Sequence, residues 1–277
     1  MAPRCFVIGH PIAHSRSPLI HGEWLREHRL AGSYERIDVA PADLPAFTAR
    51  LRAGEFAGGN VTVPHKEAVM ALVDEVSAAG RAVGAVNTLW REDGRIIADN
   101  SDVGGFLAHL DATVPGWQDR VGTALVLGAG GAARGICYGL KARGVARILV
   151  VNRSPERAAE LVAAIGHPLV AADWARRDTL VGEADLIVNT TALGMQGKPP
   201  LEIDLAALRA GTIVDDIVYV PLKTALLAEA ERRGGVIVDG LGMLLHQAVP
   251  GFARWFGVTP QVTPALRAII EADILKA

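Results

Sequence analysis

The stretch Gly59-Asn60-Val61-Thr62-Val63-Pro64-His65-Lys66 gathers an amide, a hydroxyl and a primary amine in one short segment. Val61 and Val63 read as the end of a buried strand, and Pro64 suits the first turn of a helix, where no backbone donor is needed. That reading puts Lys66 in the first helical turn, where the positive end of the helix dipole disfavours an ammonium and promotes proton exchange. A lone lysine is ordinarily just an exposed charge. Here other polar residues stand at comparable strand ends. Ser15 and Ser17 follow the first strand-like segment, Asn87 opens Val86-Asn87-Thr88-Leu89, and Asp99-Asn100-Ser101-Asp102 closes another. Singly, Ser17 would serve as a helix N-cap before Pro18, Asn87 would bond its neighbouring backbone, and the acids would cap a helix.

A second group of residues calls for a nucleotide. Gly128-Ala129-Gly130-Gly131-Ala132-Ala133 matches G-x-G-x-x-A directly after the apolar run Thr123 to Leu127 and before a helix-like segment. The first glycine permits a tight turn, the second admits a pyrophosphate to the backbone, and Ala133 leaves room for close helix packing. An NAD site usually carries Asp or Glu about 20 residues further on, to accept hydrogen bonds from the ribose. The strand Ile148 to Val151 ends instead in Asn152-Arg153-Ser154, with Arg157 one helical turn later. Guanidinium, amide and hydroxyl groups suit a 2′-phosphate that a carboxylate would repel, so NADP is expected over NAD.

These residues must be held by a scaffold, and the chain alternates strand-like and helix-like segments almost throughout. Strands are expected at Arg4 to Ile8, Tyr34 to Asp38, the segment ending at Val63, and Val86 to Trp90 paired with Arg95 to Ala98 around Glu92-Asp93-Gly94. Helices are expected at Pro18 to Arg29, Ala42 to Arg52, and after Ser101 or Asp99, either of which could cap it. The pattern restarts at Thr123, with strands near Ile148 to Val151, Leu186 to Val188, Ile213 to Val214 and Val236 to Val238. Such βα repetition implies an α/β fold of parallel sheets with helices on their faces. Two domains follow: residues 1–102, to which 239–277 return, and a nucleotide-binding domain over 103–238.

Bulk properties exclude several classes. With 277 residues and 50% hydrophobic content, the chain can build two ordinary cores. A formal charge of −2 gives no basic footprint for nucleic acid. No apolar run approaches the ~20 residues of a membrane span, and the chain enters Cys5-Phe6-Val7-Ile8 without a signal-like apolar region, so a cytoplasmic protein is expected. Cys5 and Cys137 form no C-x-x-C pair and read as buried free thiols. His10 and His14 are four apart, but Pro11 puts them in a loop without a third ligand, and no metal is expected.

With these motifs in order, the sequence resembles the shikimate dehydrogenase family along its whole length. The resemblance rests on His14-Ser15-Arg16-Ser17-Pro18, Asn60 to Lys66, Gly84-Ala85-Val86-Asn87-Thr88, Asp99 to Asp102, Gly128 to Arg134, Asn152-Arg153-Ser154, Asn189 to Met195 and Asp239 to Gln247. It implies a substrate domain followed by a Rossmann-type NADP domain, and reversible NADPH-dependent reduction of 3-dehydroshikimate to shikimate. By that resemblance Ser15, Ser17 and Thr62 hold the substrate carboxylate, with Tyr219 beside it. Lys66, Asn87, Asp102 and Gln247 contact ring hydroxyls and the reacting oxygen. Gly128, Ala129, Gly130, Gly131, Ala132, Asn152, Arg153, Ser154, Arg157, Thr190, Ile217 and Gly240 form the cofactor site. Reducing a ketone needs charge stabilisation and a proton at oxygen, which a lysine can supply. Asp102 favours the charged lysine while a helix dipole opposes it, so the two are read as a coupled acid/base pair. The expected partner is a small molecule, and the expected assembly a monomer or homodimer. Alternatives are a quinate/shikimate dehydrogenase, another NADP oxidoreductase such as a methylenetetrahydrofolate dehydrogenase, and a non-catalytic NADP-binding regulator. The combination of Ser15, Ser17, Lys66 and Asp102 argues against the last two.

Overall fold

The computed structural model describes residues 2–276. The chain divides into two compact units, Met1–Gly105 with Leu245–Ala277, and Phe106–Leu244. Both divisions fall inside helices, Ser101–Thr113 and Gly240–His246.

The first unit is built on six strands: β1 (Arg4–Gly9), β2 (Ser33–Asp38), β3 (Gly58–Val61), β4 (Glu75–Val76), β5 (Thr88–Glu92) and β6 (Arg95–Asp99). Their spatial order is β2-β1-β3-β5-β6-β4. Period-two alternation along β1 feeds two separate layers. Phe6 and Ile8 enter a cluster with Phe47, Phe56 and Leu89, while Cys5 and Val7 face Tyr34 and Trp255. Phe6 meets Phe47 and Phe56 edge-on at 4.8 and 5.2 Å, an aromatic geometry that adds to simple burial. Helices Leu44–Arg52 and Ala248–Phe256 supply Phe47 and Trp255 to those layers.

This sheet is mixed, and the expected hairpin around Glu92-Asp93-Gly94 is part of it. β5 runs antiparallel to both β3 and β6. The cause is local: Asp93 and Gly94 take φ of 51° and 78°, two left-handed residues that close a tight hairpin. A two-residue connection cannot return a chain in the parallel direction. The direction change has a functional consequence. The C-terminal ends of β1, β3 and β6 and the N-terminal end of β5 all lie along one edge of the sheet.

The second unit carries β7 (Thr123–Leu127), β8 (Arg147–Asn152), β9 (Leu169–Asp173), β10 (Leu186–Asn189), β11 (Ile213–Asp216) and β12 (Val236–Asp239). All pairings are parallel, in the order β12-β11-β10-β7-β8-β9. Read from its other edge, this is the doubly wound dinucleotide-binding order, whose switch point falls between β7 and β10. The interior strands β7, β8 and β10 are almost wholly apolar and buried, as parallel strands covered on both faces must be. Cys5 and Cys137 are free and buried. Burial pushes the Cys5 thiol far up and Cys137 up to about 12, leaving both unreactive. Among the described residues no helix is long and apolar enough to cross a membrane.

Candidate active site

Sheet topology explains why the polar residues of the first unit meet. Ser15 and Ser17 follow β1, Thr62 and Lys66 follow β3, Asn87 immediately precedes β5, and Ser101 and Asp102 follow β6. All therefore emerge at the common edge. Gln247 joins them on the segment between helices Gly240–His246 and Ala248–Phe256.

At the centre, Lys66 Nζ donates to Asp102 Oδ2 at 2.6 Å, and Asn87 Nδ2 donates to Asp102 Oδ1 at 2.9 Å. Asn87 Nδ2 also approaches Gln247 Oε1 at 3.4 Å, and Ser101 Oγ reaches the same oxygen at 3.5 Å. Asn87 Oδ1 accepts from Ser101 N at 2.8 Å and from its hydroxyl at 3.1 Å. The amide is thus oriented at both ends. Lys66 and Asp102 keep 29% and 27% of their side chains exposed, while Asn87 and Gln247 are buried. The ion pair faces outward from a fixed floor.

Lys66 itself is not in a helix. It lies in a turn ahead of the short 3-10 segment Ala68–Leu72. Its carbonyl accepts from Val86 N at 2.9 Å, so the bond that an α-helix would use goes to the strip leading into β5. The expected helix dipole is therefore absent, and Asp102 is the charge acting on the ammonium. Two further expectations change. Asn100 caps the helix Ser101–Thr113, its Oδ1 accepting from Asp102 N at 3.1 Å and Val103 N at 3.3 Å. Ser17 is not an N-cap but the first helical residue, buried, while Ser15 Oγ accepts from Ser17 N at 3.4 Å.

Asn60 points inward rather than to the strand's mouth. Its Nδ2 donates to Asn87 O at 3.0 Å and Thr88 Oγ1 at 3.2 Å, and its Oδ1 accepts from Tyr34 O–H at 2.6 Å. Thr88 Oγ1 meets Ser101 Oγ at 2.9 Å. A continuous hydrogen-bond chain thus runs from buried Tyr34 out to the partly exposed Asp102 and Lys66. Burial holds the Tyr34 hydroxyl well above its usual range, so it stays a donor. His65, beside Lys66, is buried with Nε2 at 2.7 Å from Val39 O. Sequence reasoning passed over Tyr34 because nothing local marks a tyrosine on an edge strand as polar-bonded. Gly105 completes the floor: a Cβ there would stand 2.6 Å from Gln247 Cβ and 2.7 Å from its backbone N.

In the second unit the glycine turn has the form that a phosphate needs. Gly128 takes φ of +109°, and a Cβ would fall 2.7 Å from Thr190 Oγ1. Thr190 in turn donates from Oγ1 to Leu127 O at 2.7 Å. At Gly130 and Gly131, ahead of Ala132 in the helix Gly131–Ala142, a Cβ would meet only open space. Ala129 and Gly130 line a cavity of ≈ 200 Å³ with Gly128, Asn152, Arg153, Trp174, Thr190, Thr191 and Leu193. Among the described residues Arg153 and Arg157 make no ion pair, and the Ser154 hydroxyl makes no capping bond. The neighbouring carboxylate by register is Asp173, opposite Asn152, and it turns to accept from Ala175 N at 2.9 Å. Ile217 and Gly240 are also brought together, the Gly240 Cα lying so close to the Ile217 carbonyl that no Cβ fits. Tyr219 belongs to this unit, on the segment after β11. These residues fit an NADP molecule: an open glycine turn at a helix N-terminus for the pyrophosphate, and free guanidinium groups for the 2′-phosphate. Trp174 was missed because β9 buries only Leu169 fully and gives little apolar signal.

Comparison with known proteins agrees with both halves. Residues 7–89 match the family model "Shikimate dehydrogenase substrate binding domain", 117–195 match "Shikimate / quinate 5-dehydrogenase", and 240–270 match "Shikimate 5'-dehydrogenase C-terminal domain". The shikimate dehydrogenase (NADP(+)) of Methylobacterium radiotolerans is 58% identical over 276 residues, covering 98% of each chain. The chain belongs to the shikimate dehydrogenase family. Among solved members, the Thermus thermophilus enzyme in complex with NADP(H) and shikimate superposes with a TM-score of 0.86 at 36% identity, covering 98% of this chain and 99% of that one. Quinate dehydrogenase from Corynebacterium glutamicum, in complex with NAD, superposes with a TM-score of 0.90 at 31% identity, with the same coverage. One of these solved relatives thus holds NADP(H) with shikimate and the other holds NAD.

Proposed function

We propose that the chain is an NADP-dependent shikimate dehydrogenase, reversibly reducing 3-dehydroshikimate to shikimate on the route to aromatic amino acids. The observation that carries this reading is the Lys66–Asp102 pair at 2.6 Å, with Asn87 and Gln247 fixed beside it. Ser15, Ser17 and Thr62 hold the substrate carboxylate from the common sheet edge, and Tyr219 contributes beside it. Lys66, Asn87, Asp102 and Gln247 bind ring hydroxyls and the reacting oxygen. Lys66, hydrogen-bonded to that oxygen, stabilises the charge that develops on it and exchanges its proton. Asp102 holds the ammonium in place and balances its charge, while Asn87 keeps the carboxylate from rotating away.

Gly128, Ala129, Gly130, Gly131 and Ala132 hold the pyrophosphate of NADP, and Asn152, Arg153, Ser154 and Arg157 its 2′-phosphate. Thr190, Ile217 and Gly240 complete that site. When bound, the nicotinamide supplies the hydride. Residues 1–102 with 239–277 form the substrate domain, and 103–238 the cofactor domain. The protein works in the cytoplasm as a monomer or homodimer.

Following NADP or NAD reduction at 340 nm with shikimate or quinate tests this reading. Turnover of shikimate with NADP is expected. Comparable turnover of quinate would place the chain among the broader quinate/shikimate enzymes. NADP binding without turnover on either acid would overturn the enzymatic reading.

A further inference from the structure

The buried amides and hydroxyls between Tyr34 and Asp102 can point their protons in only one direction. Asn60 Nδ2 stands 3.0 Å from the Asn87 carbonyl oxygen. Turning the Asn60 amide over would set two oxygens against each other, so its Oδ1 must face Tyr34 and the tyrosine must donate, at 2.6 Å. Asn87 Oδ1 lies 2.8 Å from the Ser101 backbone N, which fixes that amide in the same manner and turns Nδ2 to Asp102. Thr88 Oγ1 accepts from Asn60 and has a single proton to give, to Asn87 Oδ1 at 3.1 Å or to Ser101 Oγ at 2.9 Å. Ser101 Oγ in turn reaches Asn87 Oδ1 at 3.1 Å. Every donor therefore points from Tyr34 toward the Asp102 carboxylate. Tyr34, Asn60, Thr88, Asn87 and Ser101 are all buried, where an unpaired polar group is costly.

With its proton committed to Asn60, the Tyr34 oxygen is left as an acceptor. The Ser17 side chain is close enough to act on it as a hydrogen-bond partner, and a serine hydroxyl can donate. Ser17 is itself buried, at the start of the helix Ser17–Glu27. The tyrosine ring is clamped. His21 lies on it at 4.0 Å and 17°, and Trp255 leans on it at 5.8 Å and 41°. Burial, opposed by the Asn60 side chain, pushes the His21 pKa down to about 3, so His21 stacks as a neutral ring. One hydroxyl on β2 thus meets both a serine of the sheet edge and the amide chain that ends at Asp102.

We propose that Tyr34 is a positioning residue for the reaction: its hydroxyl aims Asn87, and thereby Asp102, through Asn60 and Thr88, and steadies Ser17 on its other side. The inference rests on the shikimate reading above and adds to it a group that acts through others.

Tyr34→Phe keeps the ring, and with it the stack on His21, and removes only the hydroxyl. In steady-state kinetics of the full chain with shikimate and NADP, it should lower kcat/KM for shikimate roughly 3- to 30-fold, the range for a buried hydrogen bond lost with its partner left unpaired. The KM for NADP should not change. Thr88→Val breaks the chain further along and should have an effect of similar size. Because both substitutions cut one chain, the double variant should be about as active as the poorer single variant. Phe56→Leu loosens an apolar cluster of the same unit without touching this chain; it should lower the melting temperature and leave kcat/KM for shikimate unchanged. Three results would overturn the positioning role and leave the shikimate reading intact: full activity in Tyr34→Phe, losses that multiply in the double variant, or an equal loss in Phe56→Leu. A wild-type chain inactive on shikimate would overturn both.

Discussion

Lys66 and Asp102 meet at 2.6 Å, and the second oxygen of the same carboxylate accepts from Asn87 at 2.9 Å. Asp102 therefore has one position, and Lys66 is steered by a group that cannot turn. Removing the amine while leaving this floor intact separates chemistry from binding. Lys66→Ala should lower kcat by roughly 10²- to 10⁴-fold, the usual range for a lost general acid or base, and leave NADPH affinity within a few-fold. Asp102→Asn should also depress kcat. Steady-state kinetics together with NADPH titration check this, and parallel losses of turnover and cofactor affinity would remove Lys66 from the chemistry.

Arg153 extends from the tip of β8 with no carboxylate partner among the described residues. A hydrogen bond to a charged group contributes about 1.5–3 kcal/mol. Arg153→Ala should therefore raise the KM for NADPH by roughly 10- to 100-fold and change that for NADH little. Equal weakening of both cofactors would undo the 2′-phosphate assignment.

The sequence exposed the strongly patterned parts of this architecture. The apolar run Thr123–Leu127 and the glycines after it announced a buried strand and a ligand turn, because burial on both faces leaves a continuous apolar stretch. β4 and β9 escaped notice, being a two-residue edge strand and a strand with a single fully buried residue. The chemical types at the site were legible, but their mutual orientation was not. That Lys66 sits in a turn and that Tyr34 anchors Asn60 both depend on partners far along the chain. Local propensity carries no information about such bonds. Trp174 went unread for the same reason, since only its register against β8 brings it beside Arg153.

Gly104 and Gly105 are adjacent in one helix yet should respond oppositely to the same methyl group. A Cβ at Gly105 would collide with Gln247 at 2.6 Å and with its backbone N at 2.7 Å, whereas at Gly104 it meets nothing within 4 Å. Gly105→Ala should displace Gln247, raise the KM for shikimate several-fold and cost about 1–3 kcal/mol of stability by overpacking. Gly104→Ala should be neutral or stabilise by up to ~1 kcal/mol through helix propensity. Melting temperatures and shikimate KM values of the two variants check the contrast, and a tolerated Gly105→Ala would mean that Gln247 is not held where it lies here.

Asp215 carries a pH dependence that is separate from catalysis. It is buried in β11, and burial first, then the negative charges of Asp216 and Asp239, hold its carboxyl well above the ordinary 3.8. The sign follows from linkage. Below pH 3.8 the group is protonated in folded and unfolded chains alike, and its contribution to stability is fully present. As pH rises the unfolded chain releases the proton first, so stability falls progressively until the raised folded value is passed. Asp215→Asn keeps the shape and removes the ionisation. The variant should melt higher than wild type at neutral pH, by roughly 2–4 °C for each kcal/mol recovered, and the gap should widen as pH rises above 3.8. Thermal melts across that range decide the matter, because a gap that stays constant with pH would show that ionisation of Asp215 does not limit stability.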